Sequence, residues 1–413
     1  MNPSKFIARK LGGEGAENGH LSKISNRIAW ISVAISVGVM IIAVMIVAGF
    51  KSEIREKAVG FSGAINLVAP GQMSINEKYP SSDSISFRKK ILDLKGVNSL
   101  HSVAYCSGLL KTNDNIQGVY FKGVDPFYDF SFFKSALVEG HIPDYNGRIG
   151  NDIMISKRLA NKLGYKLGDS MVAYFIGDEL KVRKFTICGL FDAQLEEIDM
   201  THVIVDKRHV QRLNGWKKDQ VSAIEVNIDA NCDIESTGKA VASIIYEYST
   251  KEDSPFFVLP VTKVYSHLFD WLALLDFNVL IVLILMMAVA GFNMISALLI
   301  ILFEKISMIG LLKSLGMTNW SVVKVFLYRA FHIVEKGLWW GNVVAVLFYY
   351  IQKYFKVITL NPENYFVKYV PVKLDIASLL IIDVISMAVI MLILMLSSIF
   401  VSRVSPDKTL RVE

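Results

Sequence analysis

The side chains best suited to acid–base, nucleophilic or metal chemistry are few and scattered in this 413-residue chain. Histidines stand at 20, 101, 141, 202, 209, 267 and 332. His202 and His209 flank Asp206, and three such groups gathered on one helix would suit a metal ion. VIVDKRHV at 203–210, however, reads as a strand end followed by a helix start, which would separate them. The acidic group EEID at 196–199 reads as a solvated turn. Cys106, Cys188 and Cys232 form no C-x-x-C pair, so neither a zinc site nor a disulfide framework is expected. Isolated buried thiols are the favoured state, with one bridge left open. There is no G-x-x-x-x-G-K-[ST], no H-E-x-x-H and no G-x-S-x-G. GGEGAENG at 12–19 lacks the Lys-Ser/Thr pair of a phosphate loop and precedes no strand–helix unit. The expectation is therefore no catalytic residue, no metal, no cofactor, and a chain that is not an enzyme.

Composition explains why. The chain is 53% hydrophobic and only 20% charged, with a net charge of +6. A soluble protein of this size is rarely so apolar. No dense basic stripe with interleaved aromatics appears, which argues against a nucleic-acid partner. A membrane protein with a substantial polar domain is the first inference.

The apolar residues are concentrated in long runs. Residues 28–50 carry no charge and are long enough to cross about 30 Å of hydrocarbon. The run exceeds a typical signal-peptide core and lacks a clear cleavage site, so it reads as an uncleaved first span. The arm 1–27 carries Lys5, Arg9, Lys10, Lys23 and Arg27 against Glu14 and Glu17, which favours a cytoplasmic N-terminus. A second span is expected over 271–303, a third over 320–352 and a fourth over 376–402. Asn293 and Ser296 fall inside the second and suit helix packing better than a transport path. The third must include Arg329, His332, Glu335 and Lys336, because its uncharged part, 337–352, is too short alone. An interfacial anchor with local pairing is the favoured reading of that cluster, and an intramembrane site the alternative. Asp383 lies one or two turns inside the fourth span and reads as structural, paired with Lys373 or a neighbouring helix. Residues 353–375 form an outer loop and 403–413 a cytoplasmic tail.

Between the first two spans, 51–270, charges are frequent and short β-like runs alternate with turn residues. GVYFKGVD at 118–125, KVRKFTICGLF at 181–191 and SAIEVNID at 222–229 read as strands. Segments 84–95, 155–164 and 234–248 read as helices, with Ser156 as a cap and Gly164 as a stop. The fold class is thus a membrane α-helical protein of four transmembrane helices with a large α+β domain outside the cytoplasm.

One short piece stands apart. EKISMIGLLKSLG at 304–316 lies between two spans and is amphipathic. Met308, Leu311, Leu312 and Leu315 share a helical face, and Lys305, Ser307, Lys313 and Ser314 take the other. Gly316 is placed to stop the helix, and Thr318 or Asn319 to cap the next. It is either an ordered loop or a lever that receives force from a partner.

The order of these pieces resembles the LolC/LolE-type permeases of lipoprotein-releasing ABC transporters, within the MacB-like and FtsX-like superfamily. FIARKL at 6–11, GVYFKGVDP at 118–126 and ISKRLANKLGYKLGDS at 155–170 carry the resemblance. It continues through FNMISALLIILFEKISMIGLLKSLGMTNWSVVKVFL at 292–327, YFVKYVPV at 365–372 and SPDKTLRVE at 405–413. The resemblance implies a periplasmic MacB-like core over 51–270, with a porter-like lobe (51–117 plus 220–270) and a sabre-like lobe (118–219). It implies that 304–319 is a coupling helix on a separate ABC ATPase subunit, with Glu304, Lys305, Met308, Ile309, Leu311, Leu312, Lys313, Leu315 and Gly316 as the docking residues. It further implies a second permease subunit, a lipoprotein substrate, a periplasmic carrier and an inner-membrane location with both termini inside. Two alternatives are an exporter permease for peptides or amphipathic small molecules and a transmembrane regulator of a cell-wall hydrolase. Met40, Met45, Met286, Met287 and Met294 would offer flexible surfaces to acyl chains, although packing is the simpler role for each. Glu335-Lys336 departs from the small, apolar pattern expected of the third span.

Overall fold

The computed structural model describes residues 20–402 apart from 73, 113–114, 178, 250–255 and 305. The arm 1–19, the tail 403–413 and Lys305 lie outside the described residues. The chain divides into two compact units. One comprises Ser52–Trp271 and Leu360–Lys368; the other comprises the described parts of Met1–Lys51, Leu272–Thr359 and Tyr369–Glu413.

In the first unit the described strands are β1 Ile65–Val68, β2 Ser81–Ser82, β3 Val97–Lys111, β4 Ile116–Val124, β5 Leu137–Gly140 and β6 Asp152–Ser156. They continue with β7 Ser170–Ile176, β8 Leu180–Phe191, β9 His202–Asp206, β10 Gln220–Val221, β11 Ala223–Ile228 and β12 Phe257–Pro260. Ten of them make one sheet in the order β12-β1-β11-β3-β4-β9-β6-β8-β5, with β7 bridging β3 and β8. That bridge closes β3, β4, β9, β6, β8 and β7 into a ring. The ring interior is filled rather than open. Ala104, Phe121, Ile155, Ala173, Phe185, Val203 and Val205 form one buried cluster, and the Phe121 ring lies 4.8 Å from Phe175 and 5.7 Å from Phe185.

The fifteen-residue strand β3 organises this unit. Its first half pairs with β11 and its second with β4. Alternation sends Ala104 and Cys106 into the ring and Val103 and Tyr105 into a second core on the opposite face. Ser156 accepts a hydrogen bond from the Leu159 N–H and caps the helix Lys157–Leu163, which ends at left-handed Gly164. VIVDKRHV does split between β9 and the helix Lys207–Asn214. All three cysteines are free thiols.

EEID is not a solvated turn. It opens a short helix, Glu196–Thr201, because Ile198 inserts into the core and the same turn carries Asp199 fully inside. Asp199 Oδ1 accepts from the Ala193 N–H at 3.0 Å. Its Oδ2 finds no donor among the described residues, and Arg158 Nε stands 4.0 Å off. Burial pushes this carboxyl up to about 7.

The second unit is helical. The first helix, His20–Ser62, begins in this unit. It is followed by Ser266–Glu304, Ile306–Ser314, Asn319–Phe355 and Ile376–Ser402. Among the described residues, three helices are long and apolar enough to cross a membrane: Asn26–Ser62, Ser266–Glu304 and Ile376–Ser398. The 37-residue helix Asn319–Phe355 is long enough, but its charged, Trp, Tyr, Asn and Gln residues leave it outside that set. Its Gly337 and Gly341 let it approach the first helix closely. A Cβ at Gly341 would lie 2.9 Å from the Ala34 carbonyl oxygen, and one at Gly337 would lie 2.7 Å from Val33 Cβ. Met40, Met45 and Met294 are buried in this helical core, with Met286 and Met287 packed against it.

Asp199 generates a pH prediction. Its folded value lies above the unfolded carboxylate value near 3.9, so the native state holds this proton more tightly. The stability it confers is complete below about pH 4 and is lost as the pH rises toward 7. Asp199→Asn should remove that loss. Thermal unfolding of the full chain in detergent is expected to show the variant gaining on the wild type between pH 4 and 7; parallel curves would refute the assignment.

Candidate functional site

The connector between the second and third long helices is built from local signals. Helix Ile306–Ser314 spans nine residues. Gly316 follows at φ +90°, a conformation that costs glycine little. The Gly316 N–H returns to the Lys313 carbonyl at 3.0 Å, and Ser314 Oγ donates to the Leu311 carbonyl at 2.7 Å. Thr318 caps the next helix by accepting from the Ser321 N–H. Leu311 and Leu315 are 63% and 77% exposed, and Leu315 N–H donates to the Leu311 carbonyl, so they sit one turn apart. Met308, Ile306 and Lys313 are half-buried, and Glu304 is exposed. The apolar face is thus not folded away. The side chains of Ser307, Ile309 and Leu312 lie outside the described set.

Several polar side chains in the helices have identified partners. Asn293 donates to Ser32 Oγ on the first helix. Ser296 donates to the Phe292 carbonyl of its own helix at 3.0 Å. Asn342 Nδ2 donates to Asp383 Oδ2 at 2.7 Å, so the neighbouring helix rather than Lys373 receives that carboxyl. Arg329 lines a small recess with Met294, Leu298, Ile301 and Phe326. His332, Glu335 and Lys336 are exposed, and no ion pair joins these three to one another among the described residues.

A cluster that sequence reasoning passed over lies in the other unit. Lys122 on β4 is completely buried and binds Glu225 on β11 at 2.7 Å. It donates also to Tyr128 Oη at 2.9 Å and to the carbonyl of Phe61, in the last turn of the helix His20–Ser62. Tyr128 and Tyr105 donate in turn to Glu225 at 3.2 and 3.4 Å. Register brings them together. Tyr105 stands opposite Lys122 and His101 opposite Glu225, so all four share one face of the sheet. The Lys122 ammonium lies 4.7 Å from the centre of the Phe61 ring. Burial holds Lys122 below the usual lysine value, with Glu225 opposing. The nearby His202 is pushed down to about 3 by burial and then by Lys122, which keeps it neutral. The available sequence signal was a lysine in an otherwise apolar strand, VYFKGV, but alternation alone equally permits an outward lysine.

Comparison with known proteins follows this geometry. The MacB-like periplasmic core domain model matches residues 28–244, and the FtsX-like permease C-terminal model matches 280–406. The chain belongs to the MacB-like, FtsX-like permease family. Curated relatives lie along its LolC/LolE branch. A lipoprotein-releasing system transmembrane protein LolC from Neisseria meningitidis serogroup B is 24% identical, with 96% of each chain covered. The LolC of Xylella fastidiosa (strain Temecula1) is 22% identical over 96% of this chain and 95% of its own. A LolE from Haemophilus influenzae is 20% identical over 94% of each. Among solved structures, the periplasmic region of MacB from Actinobacillus actinomycetemcomitans covers 49% of this chain and 90% of its own at 13% identity, with a TM-score of 0.35. The extracellular domain of the transporter YknZ covers 48% and 98% at 16% identity, with a TM-score of 0.32. The permease is a multi-pass membrane protein.

Lys122→Met would leave Glu225 buried without its cation. Removing one partner of such a pair costs about 3–5 kcal/mol. Denaturant or thermal unfolding should show that loss, and Lys122→Met combined with Glu225→Gln should recover part of it. A single-variant effect below about 1 kcal/mol, the scale of a surface pair, would contradict the arrangement.

Proposed function

We propose that this chain is the permease subunit of an ABC transporter that takes lipoproteins out of the inner membrane and passes them to a periplasmic carrier. The observation that carries the proposal is the nearly end-to-end match to relatives named as lipoprotein-releasing LolC and LolE proteins. Chemistry supports it. Each buried methylene of an acyl anchor holds a lipoprotein by about 0.8 kcal/mol, so extraction needs external energy. The sequence has no phosphate loop of its own, and that energy enters through a separate ATPase subunit.

In this reading Asn319–Phe355 is the third of four spans, both termini are cytoplasmic and the unit Ser52–Trp271 is periplasmic. The basic arm and tail favour that orientation. Helix Ile306–Ser314 then faces the cytoplasm and presents Leu311 and Leu315 to a groove of the ATPase. A second permease subunit, identical or related, completes the transporter.

The coupling helix gives the test. Leu311→Asp with Leu315→Asp should change the chain's own stability by no more than about 0.5 kcal/mol, because both side chains are exposed. The same variant should abolish co-purification with the ATPase subunit while membrane insertion persists. Unchanged association would overturn the docking role. In nanodiscs, the wild-type complex should retain a triacylated lipoprotein and release it on ATP addition. A bound cell-wall hydrolase, or export of a peptide with no lipoprotein retained, would overturn the substrate assignment.

A further inference from the structure

The helix Asn319–Phe355 ends in a collar of aromatic rings and lysines. Tyr350 and Tyr354, one turn apart, stack with ring centroids 6.2 Å apart and an interplanar angle of 9°. Tyr349 meets Tyr350 edge-on at 5.4 Å. Lys353 Nζ donates to Tyr349 Oη at 2.9 Å, and the Lys356 ammonium lies 4.9 Å above the Tyr369 ring. Tyr350 and Tyr354 are 50% and 73% exposed.

This collar is held in place from beneath. Gln352 is buried. Its amide nitrogen donates to the carbonyls of Ile358 and Val370, each at 3.1 Å, and its oxygen accepts from the Ile358 N–H at 3.0 Å. The Val370 N–H returns to the Ile358 carbonyl at 3.1 Å. Lys356 takes the left-handed conformation at φ +49° as it closes the helix. That conformation is uncommon for a non-glycine residue, and here it sets the lysine above Tyr369.

Neither Lys353 nor Lys356 is paired with a carboxylate among the described residues. Lysines at this end run against the usual excess of positive charge on the cytoplasmic side. Tyrosine at a span terminus marks the level of the lipid headgroups, where its ring is buried and its hydroxyl is wet. Lysine beside it reaches toward that layer.

We propose that the Lys353–Lys356 collar binds the phosphate headgroup of anionic phospholipid at the membrane surface. The inference rests on Asn319–Phe355 crossing the membrane. The two ammonium groups supply the countercharge, the tyrosine hydroxyls donate to phosphate oxygens, and Gln352 fixes the spacing. The bound lipid supplies the countercharge that no carboxylate provides among the described residues.

The test uses the full chain reconstituted in phosphatidylcholine with spin-labelled lipids. Spin-labelled phosphatidylglycerol should be immobilised in preference to spin-labelled phosphatidylcholine, and the preference should fall with salt. Each lysine near an anionic surface contributes roughly a fivefold preference. Lys353→Gln with Lys356→Gln should therefore lower the preference by on the order of tenfold or more, while Lys353→Arg with Lys356→Arg retains it. Equal immobilisation of both lipids by the wild type, or no change in the glutamine variant, overturns the proposal. Val357→Cys separates the two premises. Labelling by an impermeant maleimide from the extracytoplasmic side, above the background of the unsubstituted chain, establishes the span. Labelling without lipid preference then overturns the lipid site alone, and absence of labelling overturns the span and the site together.

Discussion

The Lys122–Glu225 pair is the interaction on which the extracytoplasmic unit depends. A helix end leaves carbonyl oxygens without intrahelical partners and carries partial negative charge. At the end of His20–Ser62 the Phe61 carbonyl meets a buried lysine rather than water. That lysine could not be buried alone, and Glu225 balances it while two tyrosine hydroxyls occupy the carboxylate oxygens. Helix end, β4, β3 and β11 are thereby tied at one point. The tie is directional, so it fixes where the helix ends against the sheet in a way that the surrounding aromatic contacts, such as Phe61 against Phe133 at 5.9 Å, cannot do alone.

The helical unit uses different means for the same end. Hydrophobic attraction does not discriminate between a neighbouring helix and a lipid tail, so packing relies on close backbone approach and on polar pairs. Gly337 and Gly341 supply the first. Ser32–Asn293 and Asn342–Asp383 supply the second. Few of the large apolar side chains on Ser266–Glu304 are buried, and Leu280, Ile284 and Phe292 are among the exposed ones, as suits a helix surrounded by lipid or by a second subunit. A few polar pairs thus tie separate helices of this unit together, while Ser296 bonds within its own helix.

The short helix Ile306–Ser314 shows a third balance. It is short, and short helices are marginal by themselves. A glycine stop and a threonine cap bound it, while Leu311 and Leu315 remain uncovered. At 63% and 77% exposure these leucine side chains bury little surface within this chain.

Much of this was legible in the sequence because it is local. The long apolar runs, uncharged at 28–50 and 277–303 and interrupted only by Asp383 at 376–402, marked these segments as helices, since a helix pairs its own backbone groups within a bilayer. Ser156, Gly164, Gly316 and Thr318 declared their caps and stops through side-chain oxygens and left-handed glycines. What the tertiary structure decided depends on residues far apart in the chain. Closure of the strand ring through β7, the burial of Asp199 in what read as a solvated turn, and the meeting of Lys122 with Glu225 and Phe61 all require long-range register. Alternation tells which residues share a face but not which face is covered, and only the packed sheet settles that a lysine in VYFKGV points inward.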